Sequence, residues 1–346
     1  MVPVGINLRD ILVVHPEEDL GAFEGRVLAL DAYNAIYQFL SSIRQPDGTP
    51  LMDSQGRVTS HLSGVLYRTS SIMAKGVRMV FVFDGPPHPL KKETLEARRD
   101  VREKARKDWK VALEEGDMEG ARMKAQQTSV LDKAMVVEVK DLLDAMGIPW
   151  VDAPGDGEAQ ASYMSAKGDV WAVASQDYDS LLFGSELLVR NATLSGRRKL
   201  PGRGRREYVQ VVPERVDLRE NLKAMGLTRE QLVDAAILVG TDFNPGIKGI
   251  GPKSAIKLVR AHKDLEGVLR VKDVEVEHAD EIRSIFLEPA KTDDYDTDFG
   301  KVDESAALRM LVDDHQFSES RVLSALKKLD MRSPEPSNQR SLDAFF

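Results

Sequence analysis

The sequence contains no cysteine among its 346 residues, and only 6% of the residues are aromatic. The absence of cysteine excludes a disulfide scaffold, thiolate metal sites and a cysteine nucleophile. No apolar run approaches the roughly 18 residues that a membrane span needs, and the first residues lack the basic opening and the cleavage site of a signal peptide. We therefore expect a soluble, intracellular protein without membrane contact, whose length allows two domains or one large domain with insertions.

Positive charge is in deficit overall but is concentrated in three tracts. The chain has 48 basic and 56 acidic residues, a formal net charge of −8. Residues 190–206 hold seven basic residues and 246–263 hold five, both without an acidic residue, and 91–110 hold nine basic and five acidic residues. Each tract alone is equally compatible with a solvated face. Together they favour a polyanion that binds to selected surfaces.

Short apolar runs that end in an acidic residue predict the fold. RVLALD ends at Asp31, VRMVFVFD ends at Asp84, and DVWAVASQDYD runs into Asp177 and Asp179. Such runs alternate with helix-like segments, which favours an α/β fold with a mostly parallel central sheet flanked by helices. Ligand sites in these sheets lie at the carboxyl ends of the strands, where these aspartates fall.

Seven carboxylates are candidate metal ligands. A single aspartate after a strand is more often a turn or helix-capping residue, but seven at the loop mouths of one sheet repel each other and require cations. Oxygen ligands without cysteine or paired histidine favour Mg²⁺ or Mn²⁺ over Zn²⁺, and the matching chemistry is two-metal hydrolysis of phosphodiesters. The candidates are Asp31, Asp84, Asp156, Glu158, Asp177, Asp179 and Asp242.

A glycine-rich segment, GIKGIGPKSAIKLV at 246–259, is a candidate phosphate contact. It fails the nucleoside-triphosphate template because Pro252 stands where a lysine is required. It fits a helix–hairpin–helix turn better, with Gly249 and Gly251 allowing close approach of a DNA phosphate and the next helix adding its dipole. An ordinary glycine-rich turn is the alternative. Positive charge along that helix comes from Lys253, Lys257 and Arg260.

The end of the chain, MRSPEPSNQRSLDAFF, predicts a flexible tail because it is rich in proline, serine and asparagine. It nevertheless finishes in two phenylalanines. Such a segment is able to form one helical turn on binding and to place apolar anchors in a partner's pocket. The residues of this pattern are Gln339, Leu342, Phe345 and Phe346.

Together these motifs resemble the flap endonuclease family of structure-specific 5′ nucleases, in its archaeal form. The matching segments run from about Val4 to Phe346 and include AIYQFL, TSHLSGVLYRT, VFDGPP, GEAQA, SQDYDSLLFG, LVGTDFNPG and GIKGIGPK. The resemblance implies a PIN-like 5′ nuclease fold with a helical arch, and flap endonuclease with 5′–3′ exonuclease activity in Okazaki-fragment maturation and DNA repair. Two features depart from the family: Asp156 replaces the usual glutamate, and Val2 follows Met1 where the family has glycine.

The resemblance also implies roles for individual residues. Lys91 and Arg98 would be catalytic, since they match the basic pair that steadies the scissile phosphate where charge develops. The first Mg²⁺, or Mn²⁺ in its place, would bind Asp31, Asp84, Asp156 and Glu158, and the second would bind Asp177, Asp179 and Asp242. A K⁺ ion would lie at the hairpin. The residues expected to contact DNA are Tyr37, Arg44, Leu51, Thr59, Arg68, Gly240, Gly249, Gly251, Lys253 and Lys257.

The resemblance further divides the chain into five regions. They are an N-terminal nuclease region (1–98), a helical arch (99–133), an internal nuclease region (134–260) with the helix–hairpin–helix at about 240–260, a C-terminal helical region (261–335) and a flexible clamp-binding tail (336–346).

The expected partners are branched DNA with a 5′ flap and a sliding clamp (PCNA) bound by the tail. We expect a monomer in the cytoplasm, associated with the nucleoid, since the basic extension of nuclear relatives is missing. Two alternatives remain. One is a mainly exonucleolytic or gap-cutting enzyme, and the other is a non-catalytic, clamp-tethered protein that binds branched DNA.

Overall fold

A seven-stranded sheet positions the rest of the chain. The computed structural model describes residues 8–194, 197–199 and 208–330. In spatial order the strands are β1 (His15–Pro16), β9 (Glu214–Asp217), β6 (Leu187–Arg190), β5 (Ala172–Ala174), β2 (Val27–Asp31), β3 (Arg78–Phe83) and β4 (Trp150–Asp152). The five strands from β6 to β4 are parallel, whereas β9 and β1 are antiparallel to their neighbours. The predicted mostly parallel sheet is confirmed.

The central strands are apolar on both faces because helices cover both faces. Successive side chains of a strand point to opposite faces, so Leu28 and Phe81 enter one core while Ala29 and Val82 enter the other. All four are fully buried. A separate two-stranded ladder pairs β7 (Arg197–Lys199) with β8 (Tyr208–Gln210).

The helices on the first face belong to the beginning and the end of the chain. They are α1 (Ala32–Ser42), α2 (Ser60–Gly64), α3 (Ser70–Met73), α6 (Lys133–Ala145), α14 (Glu304–Leu308) and α15 (Glu319–Asp330). Two π-helical turns, Val65–Thr69 and Arg309–Asp314, continue α2 and α14. Short 3₁₀ helices lie at Arg9–Ile11, Leu20–Phe23, Pro89–Lys91 and Gln126–Thr128.

The helices on the second face come from the middle of the chain. They are α7 (Gly157–Lys167), α8 (Asp179–Leu182), α9 (Leu218–Met225), α10 (Arg229–Val239), α11 (Pro252–His262), α12 (Leu265–Lys272) and α13 (Ala279–Leu287). In the described part of the chain, no helix combines the length and the apolar character that a membrane crossing requires.

The C-terminal part of the chain contributes to both faces. Phe286 on α13 packs in the core of the second face. An extended segment, 288–303, then returns along the molecule, with the Thr292 carbonyl accepting from Gln160 and the Gly300 amide donating to Gly147. It leads to Leu311 and Leu326, which complete the core of the first face. The proposed region boundaries stay predictions.

Two helices form a polar hairpin beside the sheet. They are α4 (Lys92–Glu114) and α5 (Met118–Ala125), joined at Gly116 and packed through small buried alanines. The hairpin rests on the loop after α1, where the Trp109 indole donates to the Asp47 carbonyl at 3.1 Å. A Cβ on Gly48 would lie 2.5 Å from the Ala125 Cβ, so this contact requires glycine.

The contact between Gly48 and the hairpin predicts the effect of one substitution. Gly48→Ala places a methyl group against Ala125 at a φ of +88°, and we expect overpacking to lower the free energy of unfolding by about 1–3 kcal/mol beyond the backbone strain. Denaturant unfolding of both the variant and the wild type gives this difference.

Gly56→Ala is the matched control. Its φ of +80° imposes similar backbone strain, but nothing lies within 4 Å of the added methyl group. We expect it to lose only the strain of about 1–2 kcal/mol. Equal losses in the two variants would show that the hairpin does not press on Gly48.

Candidate active site

Carboxylates from the ends of neighbouring parallel strands lie at one edge of the sheet. Asp31 is the last residue of β2 and caps α1 by accepting from the Asn34 amide at 3.0 Å. Asp84 follows β3 and accepts from the Gly157 amide, at the start of α7, at 2.6 Å. Because β2 and β3 are parallel neighbours, the two side chains lie close enough for Asp84 to raise the pKa of Asp31, after the larger effect of burial.

The N-terminus of α7 brings two further carboxylates to this edge. Asp156 caps the helix and accepts from the Glu158 and Ala159 amides at 3.0 and 3.3 Å. Glu158 lies in the first turn and is buried. The Ser175 hydroxyl donates to Glu158, while its oxygen accepts from the Asp177 amide at 3.2 Å. Ser175 thus ties the two groups of carboxylates together.

The remaining carboxylates come from β5 and from the loop after α10. Asp177 follows β5 and accepts from the Asn34 side-chain amide at 2.9 Å. Asp179 begins α8 and is buried, and Asp242 follows α10. Asp242 lies close enough to raise the pKa of Asp177, which places it in the same cluster.

Burial and mutual repulsion act on this cluster together. Burial is the larger cause, and repulsion from neighbouring carboxylates adds to it, so that the pKa values of Asp84 and Asp177 rise to about 6. The same two causes raise the pKa of Asp31 and of Glu158 well above their ordinary values. Cations bound among these carboxylates would offset the repulsion and favour the ionised forms.

Two basic residues at the base of the hairpin enter the cluster. The Lys91 Nζ atom lies 2.5 Å from Asp156 Oδ2, and Arg98 Nη2 lies 2.7 and 2.8 Å from the two oxygens of Asp242. Burial favours neutral lysine, but the charge of Asp156 and its hydrogen bond outweigh burial and raise the pKa of Lys91. Arg98 Nε is buried without a hydrogen-bond partner among the described residues, which leaves one donor available inside the site.

The cluster has the chemistry of a site for hard cations but is not arranged as a finished cage. Within the described residues, no three His, Asp or Glu side chains converge closely enough to hold an ion. Lys91 and Arg98 occupy Asp156 and Asp242 instead, so a bound ion would have to displace them. The all-oxygen donor set and the raised pKa values fit a divalent cation such as Mg²⁺ or Mn²⁺.

Several residues predicted to contact DNA already have protein partners. The Arg44 guanidinium donates to the carbonyls of Leu40 and Gly48, both at 2.8 Å, and Arg68 donates to the Thr193 carbonyl at 3.0 Å. Burial lowers the pKa of both arginines. Arg44 holds the backbone at the end of α1, and Arg68 joins the Ser42 hydroxyl at that end to the loop after β6. Their predicted DNA contacts stay predictions.

The other residues of that prediction differ in their exposure. Thr59 is buried and its amide donates to the Leu51 carbonyl at 2.8 Å, while Tyr37 is partly buried on α1. At the hairpin between α10 and α11, Gly249 and Gly251 are exposed and have nothing within 4 Å of an added Cβ. This surface is open to a ligand, with Lys253 exposed beside it.

Gly240 ends α10 at a φ of +112°, where other residues are strained. Lys257 is exposed on α11. The clamp-binding residues Gln339, Leu342, Phe345 and Phe346 lie outside the described residues, as does most of the basic tract at 190–206.

Sequence reasoning missed two uncharged residues of the site. Asn34 bonds to Asp31 and also to Asp177, which is 143 positions away, and no local pattern indicates the second contact. Ser175 could have been found, because a hydroxyl two residues before Asp177 commonly accepts from that residue's amide.

Comparison with known proteins gives consistent matches along the chain. The models of the XPG N-terminal domain and the XPG I-region match residues 7–105 and 147–242. A flap endonuclease 1 of Staphylothermus marinus is 48% identical over 99% of this chain and 100% of its own length. That of Pyrococcus abyssi is 50% identical over 100% of this chain and 98% of its own length.

A solved structure agrees with these sequences. Flap endonuclease-1 from Methanococcus jannaschii superposes with a TM-score of 0.74 at 40% identity, covering 94% of this chain and 98% of that one. These matches confirm the family resemblance and the fold predicted from the sequence. They also show that the chain is a nuclease. The chain belongs to the flap endonuclease 1 family of structure-specific 5′ nucleases.

Proposed function

We propose that this protein cuts 5′ flaps from branched DNA with the help of two divalent metal ions. The observation that carries the proposal is the cluster of seven carboxylates at one sheet edge, with Lys91 and Arg98 reaching into it from the base of the helical hairpin. Flap removal serves Okazaki-fragment maturation and DNA repair, with 5′–3′ exonuclease activity as a secondary reaction. The names of its relatives support the activity.

The carboxylates divide into two groups that would each hold one ion. Mg²⁺ is the preferred ion and Mn²⁺ a substitute, the first held by Asp31, Asp84, Asp156 and Glu158 and the second by Asp177, Asp179 and Asp242. Bound there, the ions supply the activation of water and the stabilisation of the leaving oxygen. Asp156 is one methylene shorter than the usual glutamate, and its cap on α7 holds it in place.

Lys91 and Arg98 change partners in this proposal. In the structure they are paired with Asp156 and Asp242. With Asp156 and Asp242 engaged by cations, Lys91 and Arg98 would be free to bind the scissile phosphate and to stabilise the negative charge that develops in the transition state. The free Nε–H of Arg98 adds one donor to those already used.

Duplex DNA would bind the hairpin between α10 and α11. The open backbone at Gly249 and Gly251, the positive end of α11 and Lys253 suit a phosphate. A K⁺ ion at this hairpin belongs to the same proposal. The DNA contacts of Tyr37, Arg44, Leu51, Thr59 and Arg68 do so as well, with the arginines exchanging a carbonyl for a phosphate. The helical arch would guide the single strand.

The remaining proposals concern the setting of the enzyme. It acts as a monomer in the cytoplasm, at the nucleoid, and a sliding clamp (PCNA) holds it through the tail. The alternative of a binding protein without catalysis would require broken ligands, and all seven positions are acidic.

The metal assignment predicts the behaviour of Asp179→Ala. On DNA with a 5′ flap and a single-nucleotide 3′ flap, we expect the wild type in Mg²⁺ to cut one nucleotide into the downstream duplex. The variant should bind this DNA normally, but its cleavage rate should fall by a factor of about 10² or more. Without this ligand the second metal ion no longer stabilises the negative charge that develops on the scissile phosphate in the transition state. Single-turnover cleavage and binding in Ca²⁺ measure the two quantities.

Asp141→Ala, which removes an exposed carboxylate on α6, is the control and should cut normally. Cleavage by Asp179→Ala at the wild-type rate would contradict the metal assignment, and tight binding without cutting by the wild type would support the binding protein. Faster cutting of nicked or blunt DNA than of flaps would favour the exonuclease alternative.

The raised pKa values predict how stability depends on pH. Asp84 and Asp177, with pKa values of about 6, bind protons more tightly in the folded than in the unfolded chain. The metal-free protein should therefore gain stability as the pH falls from 7 to 5 and lose it as the pH rises through 6. Saturating Mg²⁺ should weaken this trend, since bound cations favour the ionised carboxylates.

Calorimetric Tm values in EDTA and in Mg²⁺ measure this dependence. The double variant Asp84→Asn, Asp177→Asn keeps the shape of both side chains and should flatten the trend in EDTA. An unchanged slope in this variant would assign the pH dependence to other groups, such as Asp31 and Glu158.

The tail pattern predicts a separate outcome for Phe345→Ala combined with Phe346→Ala. Removing both aromatic anchors should abolish stimulation by the sliding clamp, because apolar anchors supply most of the binding energy of such a segment. Cleavage without the clamp should stay within about twofold of the wild type, since neither phenylalanine belongs to the proposed metal ligands or DNA contacts. Equal stimulation of the variant would exclude the tail as the main clamp contact.

A further inference from the structure

The turn between β5 and α8 carries two of the carboxylates. Asp177 lies in this turn and Asp179 begins the helix, within a stretch of only a few residues. Their placement therefore depends on what fixes the backbone of Gln176 and Tyr178, the two neighbours of Asp177. Both neighbours are held by Arg190, at the end of the adjacent strand β6.

One guanidinium group makes all of these contacts. Arg190 Nε donates to the Gln176 carbonyl at 3.0 Å, and Nη1 donates to the Tyr178 hydroxyl at 2.5 Å. The guanidinium carbon also lies 4.3 Å from the centre of the Tyr178 ring, within the range of a cation–π contact. The side chain is 14% exposed, so these contacts are largely shielded from water.

A chain of charges fixes Arg190 in turn. In the antiparallel pairing of β6 with β9, Arg190 lies opposite Glu214, and Nη1 donates to Glu214 at 3.0 Å. Arg9 donates to both oxygens of the same carboxylate, at 2.7 and 2.9 Å. Glu214 is buried at 8% exposure. Two consecutive ion pairs, Arg9–Glu214 and Glu214–Arg190, thus connect strand β9 to the turn between β5 and α8.

We infer that Arg190 is a positioning residue for metal binding, which holds the turn 176–178 so that Asp177 and Asp179 face the second ion. The inference rests on the proposed two-metal function. A group that orients ligands without touching the ion commonly sets the affinity of the site. Arg190 does not reach the cluster itself through any hydrogen bond among the described residues, so its effect passes through the backbone and the Tyr178 ring.

Charge and positioning predict opposite effects. Arg190 is positive, and its charge disfavours a second cation nearby, as it also lowers the pKa of Asp177 against the larger effect of burial. Removing only that charge would strengthen metal binding. Removing the contacts of Arg190 with the turn would weaken metal binding. The sign of the change therefore separates the two roles.

The experiment titrates full-length protein with Mn²⁺ by calorimetry, without DNA. Arg190→Lys keeps the charge but lacks the planar fork that serves the carbonyl, hydroxyl and carboxylate together. We expect its Mn²⁺ affinity to fall about tenfold. Arg190→Gln should also bind Mn²⁺ more weakly, despite the loss of a positive charge.

Cleavage supplies a second readout. The Mg²⁺ concentration at half-maximal rate should rise by about the same factor in Arg190→Lys. The rate at saturating Mg²⁺ and the Kd for flap DNA in Ca²⁺ should stay within about twofold of the wild type, because the reacting groups remain in place. A role confined to folding would lower the Tm and leave the Mn²⁺ affinity of the folded protein unchanged.

Arg219→Lys is the matched control, since Arg219 pairs with Glu186 on the surface and makes no contact with the turn. It should bind Mn²⁺ like the wild type. Unchanged affinity in Arg190→Lys, stronger binding by Arg190→Gln, or an equal loss in the control would each overturn the inference. If the wild type binds no Mn²⁺, the proposed two-metal function and the positioning inference both fail. If the wild type binds Mn²⁺ and the Arg190 variants bind it equally well, the two-metal function stands and the positioning role fails.

Discussion

Repulsion among buried carboxylates is the constraint on which the rest of this structure depends. A parallel sheet brings the ends of its strands to one edge, and here β2, β3 and β5 each lead into an acidic residue of the cluster. Burial at that edge makes each negative charge costly and strengthens its repulsion from the others. Two features of the fold stabilise these negative charges. Asp31 and Asp156 cap the N-termini of α1 and α7, and two basic side chains pair with acids of the cluster.

The basic side chains connect the cluster to the helical hairpin. Thr94 and Arg98 lie on α4, and Lys91 ends the 3₁₀ helix just before it. All three bond to side chains of the cluster or to its backbone. The base of the hairpin is therefore held by the acids that cations would need. Lys91 and Arg98 compete with bound cations for Asp156 and Asp242. Binding of cations would therefore release the contacts that orient the base of α4.

Much of the fold and the acidic residues of the site could be predicted from local sequence. Continuous apolar strands that end in aspartate specify a parallel sheet and the edge at which a site forms. The pairing of Arg98 with Asp242 could not be predicted, because it joins residues 144 positions apart. Nor could the engagement of Arg44 by carbonyls, since a sequence shows a guanidinium group but not the orphan acceptors that surround it.

The return of the last helices to the first face has a consequence for synthesis of the chain. Leu326 and Leu329 of α15 pack in the same core as Leu28 of β2, near the other end of the chain. While the protein emerges from the ribosome, helices of the second face are complete long before α15 is available. The apolar surface around β2 stays partly uncovered until then, which is the condition under which nascent chains aggregate or recruit chaperones. Closure of that core is thus a late event, set by the rate of translation.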